Sequence, residues 1–150
     1  MNCRISLRAG LAEEFAYCAK LYFADRKNSI DECDPDVADL RKRWRVEEVR
    51  IIERDGDGVG WIQTRFESDT IFIVQFFIDI RHQRKGIGSD VLRQIIDEGH
   101  RVSRGVTLGV VKTNPALELY RKFGFQVTHE DERKFYMKRN LVDHETGNRT

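Results

Sequence analysis

Polar and apolar side chains alternate from Cys3 to Arg8, the period of a strand with one buried face. The spacing then changes. Leu11, Phe15, Cys18, Ala19, Tyr22 and Phe23 fall on one helical stripe, which predicts a helix from Leu11 to Ala24. Asn28 to Pro35 is polar and turn-rich. A second helix is predicted to open at Pro35 with Asp34 as its cap, because proline suits the first helical turn and an aspartate accepts its free amides. It carries Val37, Leu40 and Trp44 inward.

From Val49 the chain turns to β-branched and aromatic residues, and strands are predicted at Val49 to Glu53, Val59 to Phe66 and Thr70 to Ile80. Asp55-Gly56-Asp57-Gly58 between the first two is a hairpin signal, and Ser68-Asp69 turns the second pair. The run from Ile71 to Ile78 is almost continuously apolar, as in a central strand covered on both faces. A helix follows over Ile87 to Val102, with Ile87, Val91, Leu92, Ile95 and Ile96 on one face, and then a strand over Val106 to Val111. Asn114-Pro115 opens a short helix bearing Ala116, Leu117, Leu119, Tyr120 and Phe123, which Gly124 closes. Phe125 to Thr128 and Lys134 to Lys138 make two last strands. The order β-α-α-β-β-β-α-β-α-β-β predicts an α+β fold, a mixed sheet with helices on both faces. Residues 1–140 read as a single domain, and residues 141–150 as a polar tail.

Composition narrows the class without choosing a function. With 150 residues, 40% hydrophobic and 34% charged, the chain is neither disordered nor of a membrane type. No apolar run reaches membrane-spanning length and the start lacks a secretory pattern, so a cytoplasmic protein is expected. The three cysteines, Cys3, Cys18 and Cys33, have no metal-ligand spacing and read as reduced thiols. No metal site is expected. A net charge of +1 gives no field for nucleic acid, and Arg41, Lys42, Arg43 and Arg45 read as a solvated helix face.

The most informative segment runs from Ile78 to Ser89. A buried strand passes into a glycine-bearing loop that becomes the first turn of an amphipathic helix. Such a helix start has amides without helical partners and a positive dipole end, a place for a diphosphate. Gly86 and Gly88 keep side chains away from the ligand, and Arg84 and Lys85 add charge. The dinucleotide fingerprint fails because Val91 stands where it wants a third glycine. The P-loop fails because Lys85 precedes the glycine.

Gln83-Arg84-Lys85-Gly86-Ile87-Gly88 resembles the Q/R-x-x-G-x-G/A motif of the GNAT superfamily of acyl-CoA-dependent N-acetyltransferases. Asn114-Pro115-Ala116-Leu117-Glu118-Leu119-Tyr120-Arg121-Lys122-Phe123-Gly124-Phe125 resembles that family's N-x-A-x-x-x-Y-x-x-x-G-F signature, and Phe135-Tyr136-Met137 its last strand. The resemblance covers residues 48–139. It implies a mostly antiparallel, splayed sheet of about seven strands flanked by four helices. It also implies acetyl transfer from acetyl-CoA, as co-substrate, to a primary amine by direct attack. The pantetheine arm would pair with the backbone at Ile78 and Ile80, with Asn114 nearby; Asn114 is equally a plain helix cap. The pyrophosphate would rest on Gln83, Arg84, Lys85, Gly86, Ile87, Gly88 and Ser89. Tyr120 would protonate the departing thiolate, as a phenol with a pKa near about 10 is able to do. Ile80 departs from the proline that this family often has there.

A base is not identified: Glu67, Gln75 and Asp79 lie on or beside the central strands, Gln75 only as a holder of water. The acceptor, a small-molecule or peptide amine, is expected against the first two helices, their connecting loop and the last hairpin. In that loop Asp25, Asp31, Glu32, Asp34 and Asp36 would attract a cation. A homodimer stays open. The alternative is a non-catalytic acyl-CoA sensor or partner-binding module with the same fold.

Overall fold

In a computed structural model, residues 4–24 and 33–141 are described. The expectations for Cys3, Asp25, Asp31, Glu32 and residues 142–150 lie outside them. The elements follow in the predicted order: β1 (Ile5–Ala9), α1 (Phe15–Tyr22), α2 (Pro35–Arg43), β2 (Val49–Arg54), β3 (Asp57–Glu67), β4 (Thr70–Ile78), α3 (Ile87–Arg101), β5 (Gly105–Val111), α4 (Leu117–Lys122), β6 (Gln126–Glu130) and β7 (Lys134–Arg139). The strands form a mixed sheet ordered β1-β2-β3-β4-β5-β7-β6. Its one parallel pair in the described registers is β4 with β5; β1–β2, β2–β3, β5–β7 and β6–β7 are antiparallel. The chain divides into two compact units, Met1–Thr64 with Gln75–Val91, and Arg65–Val74 with Leu92–Thr150.

In the first unit, Phe15 and Ala19 of α1 meet Val37 and Leu40 of α2, while Cys18 packs on Val49, Ile51 and Trp61 of the sheet. Trp61 is wholly buried and stacks on Phe77 at 5.6 Å between ring centroids. The predicted first helix begins instead as a 3-10 turn over Ala12–Glu14, with α1 proper starting at Phe15. The cause is Glu14. Its carboxylate folds back to accept the Leu11 N–H at 2.9 Å and both terminal nitrogens of Arg8, which also reaches Glu53 of β2. The start of α2 is as predicted, since Asp34 Oδ1 accepts the Asp36 N–H at 2.8 Å. Asp55 and Gly56, with φ of 53° and 90°, form the two-residue turn between β2 and β3. Gly60 allows β3 to approach β4 closely, because a Cβ there would meet the Phe77 carbonyl oxygen.

The second unit is built on β5. It pairs in parallel with the start of β4, from Thr70↔Gly105 to Ile73↔Leu108, and antiparallel with β7 from Val106↔Arg139 to Val111↔Lys134. Val106, Leu108, Val110, Tyr120, Phe125 and Met137 are buried here. Gly124, at φ +89°, ends α4: its N–H donates to Arg121 O at 3.0 Å and the Phe125 N–H to Tyr120 O at 3.1 Å. That is a Schellman ending, which also brings the residues at its two ends together.

Candidate active site

The strand expected to run to Ile80 stops at Ile78. Asp79 turns the chain there. Its N–H still donates to Val59 O of β3 at 2.8 Å, but its Oδ1 accepts the Arg81 N–H at 3.0 Å and closes a 3-10 turn over Ile80–His82. A side chain that satisfies nearby backbone in this way competes with the sheet ladder. Ile78 is therefore the last strand residue, half-buried, and Ile80 projects into solvent. The Arg81 guanidinium returns to the same carboxylate, with Nη2 2.8 Å from Oδ2. This pairing holds the Asp79 carboxyl below its usual range. Of the three candidates, Asp79 is thus engaged by Arg81, Glu67 is exposed at the turn that opens β4, and Gln75, an amide that can only hold a water, is half-buried on β4.

Beyond the turn, Gln83 Nε2 donates back to the Ile78 carbonyl at 3.0 Å. Arg84 and Gly86 are both left-handed, with φ of 64° and 81°, and Gln83 to Gly86 are exposed. Gln83 before them is extended, with φ of -72° and ψ of 160°, so the chain reverses direction sharply as it reaches the helix. Ile87, 2% exposed, anchors the start of α3 in the core. The first hydrogen bond of that helix runs from the Asp90 N–H to Gly86 O at 3.1 Å. The amides of Ile87, Gly88 and Ser89 lie ahead of it and have no carbonyl of the helix to bond. The first unit therefore brings together Ile78, Ile80 and the whole of Gln83 to Ser89. Donors gathered at the positive end of a fifteen-residue helix, with no Cβ at Gly86 to obstruct them, fit a diphosphate.

Asn114 and Tyr120 belong to the second unit. Asn114 Oδ1 accepts the Ala116 N–H at 2.8 Å and its carbonyl accepts the Leu117 N–H at 3.1 Å, so it caps the turn that leads into α4. Its carboxamide nitrogen has no partner among the described residues. Tyr120 is 7% exposed and lies edge-on to Phe125 at 5.8 Å, the contact across the Schellman ending. Burial pushes its hydroxyl up to about 12.

One group escaped the sequence reading. Tyr17 of α1 places its hydroxyl in the interior without a hydrogen-bond partner among the described residues, and burial beside the Asp79 charge pushes it up to about 12. Residue 17 lies between positions of the apolar stripe, so no local period marks it. The basic run on α2 is engaged: Arg41 lies 4.5 Å over the Phe15 ring, and Arg43 reaches Tyr22 and Asp39. Among the described residues no three His, Cys, Asp or Glu side chains gather as a metal site, and no helix is long and apolar enough to cross a membrane.

Residues 45–127 match the model of the acetyltransferase (GNAT) domain. No curated protein matches the chain in sequence. Among solved structures, Ard1 from Thermoplasma volcanium is 20% identical, with a TM-score of 0.70 over 93% of this chain and 99% of that one. An acetyltransferase from Thermus thermophilus is 18% identical, with a TM-score of 0.71 over 91% and 97%. The PaiA N-acetyltransferase from Thermoplasma acidophilum, solved with coenzyme A, is 15% identical, with a TM-score of 0.69 over 92% and 99%. At these identities the likeness is one of fold.

Proposed function

Because this chain belongs to the acetyltransferase (GNAT) domain family, we propose that it moves an acetyl group from acetyl-CoA to a primary amine by direct attack within a ternary complex. The observation that carries the proposal is the loop after β4, with two left-handed residues and three amides ahead of the α3 ladder. The pyrophosphate sits on the N–H groups of Gln83 to Ser89, with Arg84 and Lys85 adding charge. The main chain at Ile78 and Ile80 takes the pantetheine amides, and Asn114 is a further cofactor-binding residue that the family resemblance implies. The coenzyme A bound by the Thermoplasma acidophilum relative supports this choice of co-substrate.

In the reaction the amine nitrogen bonds to the thioester carbon, the carbon–sulfur bond breaks, and one proton passes in net from nitrogen to sulfur. Tyr120 is the proposed donor to the departing sulfur. At about 12 its hydroxyl is a weaker acid than an ordinary thiol near about 8.5, so complete transfer costs about 5 kcal/mol. Its contribution is therefore a hydrogen bond to the developing thiolate, protonated at every working pH. Asp79 is committed to Arg81, which leaves Glu67, or a water that Gln75 orders, to take the proton from the amine.

Calorimetry with coenzyme A and thiol release with acetyl-CoA and a panel of amines test the proposal. Tyr120→Phe is expected to lower turnover by about tenfold or more while coenzyme A affinity changes little; full activity in that variant removes the tyrosine from the mechanism. The pairing of Asp79 with Arg81 also favours a second reading, a non-catalytic acyl-CoA sensor. Heat from coenzyme A with no thiol release on any amine supports that one.

A further inference from the structure

We propose that Asp79 and Gln83 are positioning residues that set the phosphate loop in its binding shape before any ligand arrives, an inference that rests on the acetyl-CoA reading above. Packing does little to hold this loop. Gln83 to Gly86 are exposed, and a Cβ built at Gly86 meets nothing within 4 Å. Yet Arg84 keeps a left-handed φ of 64°, which a residue with a side chain holds only when its surroundings require it.

What requires it is a pair of side chains that straddle the junction. Asp79 reaches forward to the Arg81 N–H and guanidinium, and Gln83 reaches back to the Ile78 carbonyl. The Asp79 N–H fastens the same junction to Val59 of β3. Residues 78–83 are thus closed into a ring at the end of β4, and Arg84 to Gly86 leave it in one direction. From there to the buried Ile87 the chain has three residues to span, which limits the paths it has. The Gln83 donor uses one lone pair of the Ile78 carbonyl and leaves the second for a ligand amide. Without the ring the loop spreads over other conformers, and apparent affinity falls in proportion to the fraction that remains competent.

The test compares wild type with Gln83→Met, which keeps length but has no donor; Asp79→Ala; and Asp79→Asn, which keeps the Oδ1 acceptor. Coenzyme A and inorganic pyrophosphate are titrated by calorimetry, and KM for acetyl-CoA and kcat are measured alongside. Gln83→Met and Asp79→Ala are expected to bind both ligands about three- to tenfold more weakly, the size of one net hydrogen bond. Asp79→Asn should restore binding to within about twofold, because the turn survives. In the weakened variants KM should rise by a larger factor than kcat falls. Wild-type affinity in Gln83→Met and Asp79→Ala overturns the proposal, as does an Asp79→Asn variant as weak as Asp79→Ala. If thermal melts show Asp79→Ala unfolded, the exposed Gln83→Met decides alone. Wild-type protein that gives no heat with coenzyme A removes the acetyl-CoA reading itself and this proposal with it.

Discussion

Tyr120 is fixed by the way its helix ends, since its ring rests on Phe125 across the Gly124 turn and its hydroxyl has no partner among the described residues. That is why it was legible in the sequence. Tyr120, Gly124 and Phe125 are one local motif, and its resemblance to the family signature is what singles the tyrosine out. Tyr17 was not, because what surrounds its hydroxyl comes from Gly58 and Asp79, far along the chain. The two tyrosines share a consequence at high pH. Both are raised from about 10 to about 12 in the folded protein, so the unfolded chain ionises first. Their contribution to stability is fully present below pH 10 and is lost between pH 10 and 12. Tyr120 alone accounts for about 3 kcal/mol of that loss. Urea unfolding at pH 8 and pH 11.5 should show the fall, and Tyr120→Phe should shrink it; an unchanged midpoint would count against the buried phenol.

Among the elements, several boundaries could be read from local chemistry: Asp34 and Pro35 for α2, Asp55 and Gly56 for the first hairpin, Gly124 for α4. The end of β4 could not. The apolar run ends at Ile78 but an apolar residue returns at Ile80, and the Asp79 carboxylate between them, by accepting from Arg81, makes the strand two residues shorter. Nor does the β-period reveal why Gly60 lies in the middle of β3. The backbone of β4 passes so near that a methyl group would meet the Phe77 carbonyl. Gly60→Ala should therefore cost about 3 kcal/mol, as overpacking against main chain does, and displace the end of β4 that leads into the loop before α3. Equilibrium urea unfolding gives the cost. A loss below about 0.5 kcal/mol, the usual size of a surface change, would mean that β3 and β4 part easily.

For the molecule as a whole, a ligand that binds only the folded chain must raise its stability. Coenzyme A at a hundred times its dissociation constant should add about 2.7 kcal/mol, or about 5–10 °C in Tm, and a melt with and without it is the check. Fold class was legible here because element order and two motifs agree. Strand order was not, since no local period says that β7 lies between β5 and β6. That insertion has a temporal side. When the ribosome has made β5, α4 and β6, the edge of β5 that faces β7 is still bare, and it is filled only when residues 134–139 emerge. Until then β6 has nothing to pair with, so a nascent chain halted at residue 133 carries two unzipped strand edges into a crowded cell, where other unfinished chains compete for them.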